Sequence, residues 1–277
     1  MVHLWLVNQV IGSALDMVLS PFRLRSPLWS LSLLAVLSGF FMVVVYRFAS
    51  NQQGIRQTKN RLKAHVLEIF LFKHDLAAMV TAQKQMLLYN VVYMKHAVKP
   101  MAIMIGPMAL LLLQLDNWFG YRPLQPDETA VVTVRVTDQM LPALDSLVLD
   151  TNQGIVVETP RLWRPEEREA DWRIRALVFG THELRVQVAG HTVRKTVEVS
   201  DSLVHVSRRK VLDRWWDILW YPGERPIPTH SGVEQVQVGY PARSMAIFGW
   251  HMHWFVVFFL LSVLCGFVWK SLIRVEI

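Results

Sequence analysis

Three stretches of the chain, Leu28–Tyr46, Pro100–Trp118 and Ala246–Trp269, are apolar almost without interruption. Each runs for about 19 to 24 residues, the length a helix needs to cross roughly 30 Å of hydrocarbon. The pattern predicts three membrane spans, placed at 28–47, at 99–119 and within a C-terminal segment 244–277. Ahead of the first span, Leu4, Val7, Ile11, Leu15, Val18 and Phe22 share one helical face, while Asn8, Gly12, Asp16 and Ser20 recur on the other. Residues 1–27 are therefore expected to form an amphipathic helix in the membrane interface, with its apolar face in the acyl boundary. Pro21 and Pro27, with Arg23 and Arg25 between them, separate it from the span. The alternative, a simple extension of the first span, has two prolines against it.

Between the first two spans the period stays helical. Residues 51–98 contain no Pro and one Gly, Gly54, among strong helix formers. A single rod of that length would reach roughly 70 Å, so 48–98 is predicted to fold back as a helical hairpin. Its turn is expected at Lys73-His74-Asp75, where cations end one helix and Asp75 caps the next. A coiled-coil dimerisation element is the alternative, but no heptad is sustained.

From residue 120 the period changes to two. Ala130–Thr137, Asp171–Val178, Glu183–Val188 and Thr192–Val199 alternate apolar and polar residues, with further strands expected at 146–149, 155–158 and 233–238. About seven short strands separated by Gly, Asn and Pro predict an antiparallel, immunoglobulin-like β-sandwich over 120–243. Ala189-Gly190-His191 is the clearest hairpin turn, and Arg208–Trp220 is expected to be a helix carrying Trp215, Trp216 and Trp220 to the headgroup layer. The fold class expected is an α+β membrane protein.

Composition agrees with this and charge orients it. The 277 residues are 52% hydrophobic and 18% charged, with mean hydropathy +0.27, which argues against a disordered chain or an ordinary soluble enzyme. Of the net charge of +7, the segment 47–99 alone supplies +7, through nine Lys/Arg against Glu68 and Asp75. The stretch 120–243 has 16 basic and 17 acidic residues and forms no basic groove, so no nucleic-acid partner is expected. Short basic loops stay in the cytoplasm. The expected orientation is N-terminus outside, 48–98 inside, 120–243 outside and C-terminus inside, as in a bacterial inner-membrane protein. Cys265, in the last span, is the single cysteine, so the outer domain is expected to be stable without disulfides. The N-terminus lacks the pattern of a removable signal peptide.

Motifs for catalysis are missing: there is no G-x-S-x-G, no phosphate-binding Gly-rich loop and no H-E-x-x-H. No enzymatic activity, cofactor or metal is expected. His251 and His253, two apart at the head of a helical span, would not share a face, and Trp250 and Trp254 beside them suggest an interfacial aromatic belt. The remaining candidates are polar groups near membrane depth: Arg47 at the end of the first span, and Gln114, Asp116 and Asn117 at the end of the second. Arg47 is either a snorkelling anchor or part of a polar groove; Asp116 marks either the water boundary or the same groove. Gly106 and Pro107 would bend the second span and widen such a groove.

The order of these parts resembles the YidC/Oxa-type membrane-protein insertases, in particular their three-span archaeal and endoplasmic-reticulum members. The resemblance covers residues 1–120 and the last span, and rests on Val44-Val-Tyr-Arg47 running into Arg56-Gln-Thr-Lys-Asn-Arg-Leu-Lys63, on Met94-Lys95 with Lys99-Pro100-Met101, and on Asp116-Asn117-Trp118-Phe119-Gly120. It implies a hydrophilic intramembrane groove whose positive residue would be Arg47, with Gln114, Asp116 and Asn117 as further groove residues. It also implies a basic hairpin that recruits nascent or membrane-protein polypeptides through Arg56, Lys59, Arg61 and Lys63. Two features depart from the plan: Arg47 sits at the inner end of its span, and a β domain is inserted between the second and third spans. That domain would bind an extracytoplasmic protein partner or the outer part of a substrate. The expectation is thus an insertase or membrane chaperone in contact with lipid. The rivals are a structural or adaptor subunit that tethers the β domain, and a sensor whose outer domain binds a ligand.

Overall fold

A computed structural model describes residues 2–23, 26–72, 75–247 and 249–275. It has α+β architecture and divides into two compact units, one made of Met1–Leu31 with Leu110–Val256 and one of Ser32–Ala109 with Val257–Ile277. Three helices are long and apolar enough to cross a membrane: α2 (Pro27–Ala49), the Met79–Phe119 part of α4 (Leu76–Phe119) and α6 (Trp254–Ile273). These are the features of a multi-pass membrane protein. The other helices are α1 (Val2–Leu19), α3 (Gln52–Leu71) and the short α5 (Trp215–Trp220).

In the helical unit, α3 starts where the Asn51 side chain accepts a hydrogen bond from the Gly54 amide at 3.0 Å. It then packs antiparallel to the first half of α4: Arg61 donates to Tyr89 Oη at 2.9 Å and His65 stacks on the same ring at 5.4 Å. Asp75 Oδ1 accepts from the Ala77 amide at 2.9 Å, which caps α4 as its residue type predicts. Lys73 and His74, the rest of the expected turn, lie outside the described residues. Helix α4 is continuous through Pro100 and Pro107, so the expected boundary at 98/99 is not an element end, and one helix supplies both the second hairpin arm and the second span. Helices α2 and α6 approach closely at Gly39, where an added Cβ would lie 3.0 Å from the Ser262 carbonyl and 3.2 Å from Cys265 Cβ. Phe40 meets Trp269 edge to face at 5.0 Å. A small cluster of Val43, Tyr46, Ile55 and Val275 completes the packing.

In the other unit, β1 (Thr129–Val136) is central to one sheet, between β5 (Glu169–Ala176) and β9 (Val233–Val238), with β8 (Arg209–Val211) on the β9 edge. Beyond β5 lie β3 (Ile155–Val157) and β4 (Leu162–Arg164), both antiparallel to it. A second sheet has the order β2 (Val148–Thr151), β6 (Gly180–Val188), β7 (His191–Val199). Alternate residues of both sheets, Val132, Val134 and Val136 from one and Leu184, Val186 and Val197 from the other, meet in one core. The period-two pattern has this cause: each strand buries one face and leaves the other in water. Between β6 and β7, Ala189 and Gly190 both have positive φ, 47° and 78°. That is the twist a two-residue hairpin loop requires, and glycine adopts it without strain.

Two expectations are corrected here. Arg208–Trp220 is not one helix. Residues 209–211 form β8, held to β9 by Arg209 Nε donating to Gln237 Oε1 at 2.7 Å, and only Trp215–Trp220 is helical. The third span does not begin near residue 244. Strands β10 (Ser244–Ile247) and β11 (Trp250–His253) form an antiparallel hairpin, and the apolar helix starts at Trp254.

Candidate functional site

Helix α4 ends in a polar layer. Gln114 is buried, and its Nε2 faces Asn8 of α1, lying 3.3 Å from Oδ1 and 3.4 Å from the main-chain carbonyl. Asn8, also buried, donates its own side-chain amide to the Ile218 carbonyl of α5 at 3.1 Å. Two residues on, Asp116 has His253 and Arg208 as its favourable electrostatic neighbours, while its main-chain carbonyl accepts from Gly120 at 2.8 Å. The Asn117 carbonyl accepts from the Val206 amide at 2.7 Å, and its Nδ2 is buried without a partner. Gln114, Asp116 and Asn117 therefore share the end of one helix in the unit that holds the β-sheets, but Gln114 faces Asn8 while Asp116 faces His253 and Arg208. Arg47 belongs to the other unit and is exposed, with no ion pair among the described residues.

The surprise is the orientation of α1. Its buried positions are Asn8, Leu15 and Leu19, whereas Leu6, Val10 and Met17 point outward, the last two 67% and 80% exposed. The polar stripe of Asn8, Gly12 and Asp16, which resembles a water-facing edge in sequence, meets protein at the buried Asn8 and stays half-exposed at Asp16. Beside it lies a cavity of about 250 Å³, lined by Asn8, Gln9, Asp16, Gln114, Trp118 and His205 among others. Trp118 is buried and meets His205 edge to face at 5.7 Å. Desolvation lowers the His205 pKa below the usual histidine value, against the opposing pull of Glu224, so its ring is neutral at neutral pH. Asp16 accepts from Arg23 through Oδ1.

A second polar cluster lies within the β domain. Lys195 is fully buried, with its Nζ bonded to the Glu224 carboxylate and to the Ser207 carbonyl at 2.6 Å. Lys210 shares Glu224 at 3.8 Å and donates to the Arg194 carbonyl at 2.7 Å. Burial lowers both lysine pKa values and Glu224 opposes the shift. This is a neutralised structural network rather than a cleft. His251 and His253 lie on a strand, so residues two apart do share a face there, contrary to the helical expectation. Even so, among the described residues no group of three or more His, Cys, Asp or Glu is placed to hold a metal ion.

On α3, Arg56, Arg61 and Lys63 are exposed and Lys59 is partly so. Near the end of that helix Leu67, Phe70, Leu71 and Phe72 are also exposed. Cations and large apolar side chains thus share one short helix. The sequence displayed these residues individually, but His205 and Lys195 carry no motif and emerge only from the fold. No protein-family model, curated protein or solved structure matches the chain.

Proposed function

We propose that this chain is a membrane-protein insertase or membrane chaperone of the YidC/Oxa type. In this reading the α3–α4 pair lies in the cytoplasm and recruits polypeptide segments through Arg56, Lys59, Arg61 and Lys63. Arg47 in one unit and the Gln114–Asn117 layer in the other each offer polar groups that lower the apolar barrier, and the substrate's own apolar segment supplies the driving force. The two β-sheets form an immunoglobulin-like sandwich on the extracytoplasmic side, where it meets a protein partner or the emerging substrate. The observation that carries the reading is the pairing, on α3, of exposed cations with exposed Leu67, Phe70 and Leu71 between two apolar helices. An acidic, apolar polypeptide segment complements that surface.

The adaptor reading has its own support. Helices α2 and α6 meet through Gly39 and an apolar Phe40–Trp269 contact, and a mere tether needs nothing more. Depleting the protein and following insertion of membrane proteins with short translocated tails separates the two. The insertase reading expects these tails to remain untranslocated. Normal insertion together with loss of one membrane assembly would establish the adaptor instead.

A further inference from the structure

The pocket beside α1 shares only Gln114 with the proposed polypeptide route, and its wall has features of a binding site of its own. Four of its groups have unspent hydrogen-bonding capacity among the described residues. Trp118, 1% exposed, has an Nε1–H with no partner. Gln114 uses its amide nitrogen on Asn8, and its Oε1 accepts nothing. Asp16 uses only Oδ1, on Arg23, which leaves Oδ2 open. The His205 ring nitrogens bond to no protein group. Buried donors and acceptors are nearly always paired, so the Trp118 Nε1–H calls for a ligand or water, and the half-exposed Asp16 carboxylate beside it is open to the same ligand. At about 250 Å³ the space far exceeds the roughly 10–15 Å³ that one water needs.

Charge narrows the choice of ligand. Asp16 and Arg23 cancel and burial disfavours the charged form of His205, so the wall offers both acceptors and donors with little net charge. A lone anion or cation would enter uncompensated, whereas a zwitterion matches both kinds of group. The open acceptors, Asp16 Oδ2 and Gln114 Oε1, match an ammonium that can donate hydrogen bonds. A quaternary ammonium cannot. The Trp118 and His205 N–H groups match a phosphate. Next to the lining stripe on α1, the exposed Leu6, Val10 and Met17 present apolar surface suited to acyl chains.

We propose that this cavity binds an ammonium–phosphate group of the phosphoethanolamine kind, supplied by a lipid of the surrounding bilayer.

Native mass spectrometry of the full chain in detergent tests this with phosphatidylethanolamine, phosphatidylcholine and, separately, soluble phosphoethanolamine. At equal mole fraction the ethanolamine lipid should be retained about tenfold over the choline lipid, the scale of one charge-assisted hydrogen bond. Asp16→Asn should abolish that preference. Gly12→Leu should do so by filling the space, since a Cβ at Gly12 meets only Gln114 Oε1, at an ordinary 3.9 Å. Should Asp16→Asn lower the melting temperature by freeing Arg23, Gly12→Leu decides alone. Displacement of the lipid by soluble phosphoethanolamine supports headgroup recognition with a water-borne source, and retention against it supports the lipid source. Equal retention of both lipids, or a preference that survives Gly12→Leu, overturns the proposal.

Discussion

The two compact units treat apolar side chains in opposite ways. In the β domain Val132, Val134, Val186 and Val188 are wholly enclosed, and even a lysine is drawn inside with its partner. In the helical unit Ile103, Ile105, Leu264 and Phe267 face outward. Both sets of residues are similarly apolar, so the difference lies in the solvent each surface meets. Contiguous apolar surface on that scale is not stable in water, while hydrocarbon accepts it without penalty and withholds any hydrophobic drive to bury it. The β domain is held by burial, and the helices are held by close fit at a few points such as Gly39.

That contrast can be broken most forcefully from the β side. Glu224→Ala strands the Lys195 ammonium in the core and should cost about 3–5 kcal/mol, read as early melting and loss of amide protection on β6 and β7. Replacing both residues, Lys195→Met with Glu224→Leu, should restore most of it. If Glu224→Ala alone were neutral, the lysine would not be enclosed as described. On the helical side, Leu264→Asp should disfavour membrane integration by about 2.5–3.5 kcal/mol, as an acid at mid-span does. Carbonate extraction would reveal it, and a water-facing residue would give no change.

A smaller effect sharpens the idea of a few fitted points. Gly39→Leu drives a side chain into α6 and should destabilise by about 1–3 kcal/mol. Gly106→Leu, with nothing within 4 Å of its Cβ, should be tolerated or slightly stabilising. Equal effects at the two positions would remove the distinction between packed and lipid-facing surface. The smallest shift concerns acid. Because the fold lowers the His205 pKa, the unfolded chain takes up that proton more readily, and stability should fall as pH drops below about 6.5. A melting temperature that declines between pH 7 and pH 5.5, and declines less in His205→Gln, is the expected pattern.

These cases also show how far the sequence could be read. Strand period was plain in Val132, Val134 and Val136 because one-sided burial writes it directly into the residue order. Three long apolar helices are likewise legible, because hydrocarbon thickness asks for such runs, but their ends are not: α4 extends well before residue 99 and α6 starts at Trp254. The 98/99 boundary has no counterpart in the fold, since a proline such as Pro100 inside a helix costs one hydrogen bond and some strain yet need not end it. His251-Met-His253 misled because the apolar run masks the point where Gly249, at φ 84°, turns a strand. Asn8 and Asp16 were visible as a stripe, but periodicity gives a face and not the neighbour that covers it. Gln114, Asp116 and Asn117 stand out in the sequence by residue type alone. Trp118 and His205, nearly ninety residues apart, could only be joined by the fold.

The claim that most needs testing is that the basic α3–α4 pair and the β domain face opposite sides of the membrane. With Cys265→Ala as background, single cysteines at Lys63 and Gln187 can be probed in intact cells with a membrane-impermeant maleimide. The Gln187→Cys protein should label without permeabilisation, and the Lys63→Cys protein only after it. Labelling of both from the same side would contradict the orientation, and with it the path along which a polypeptide is proposed to travel.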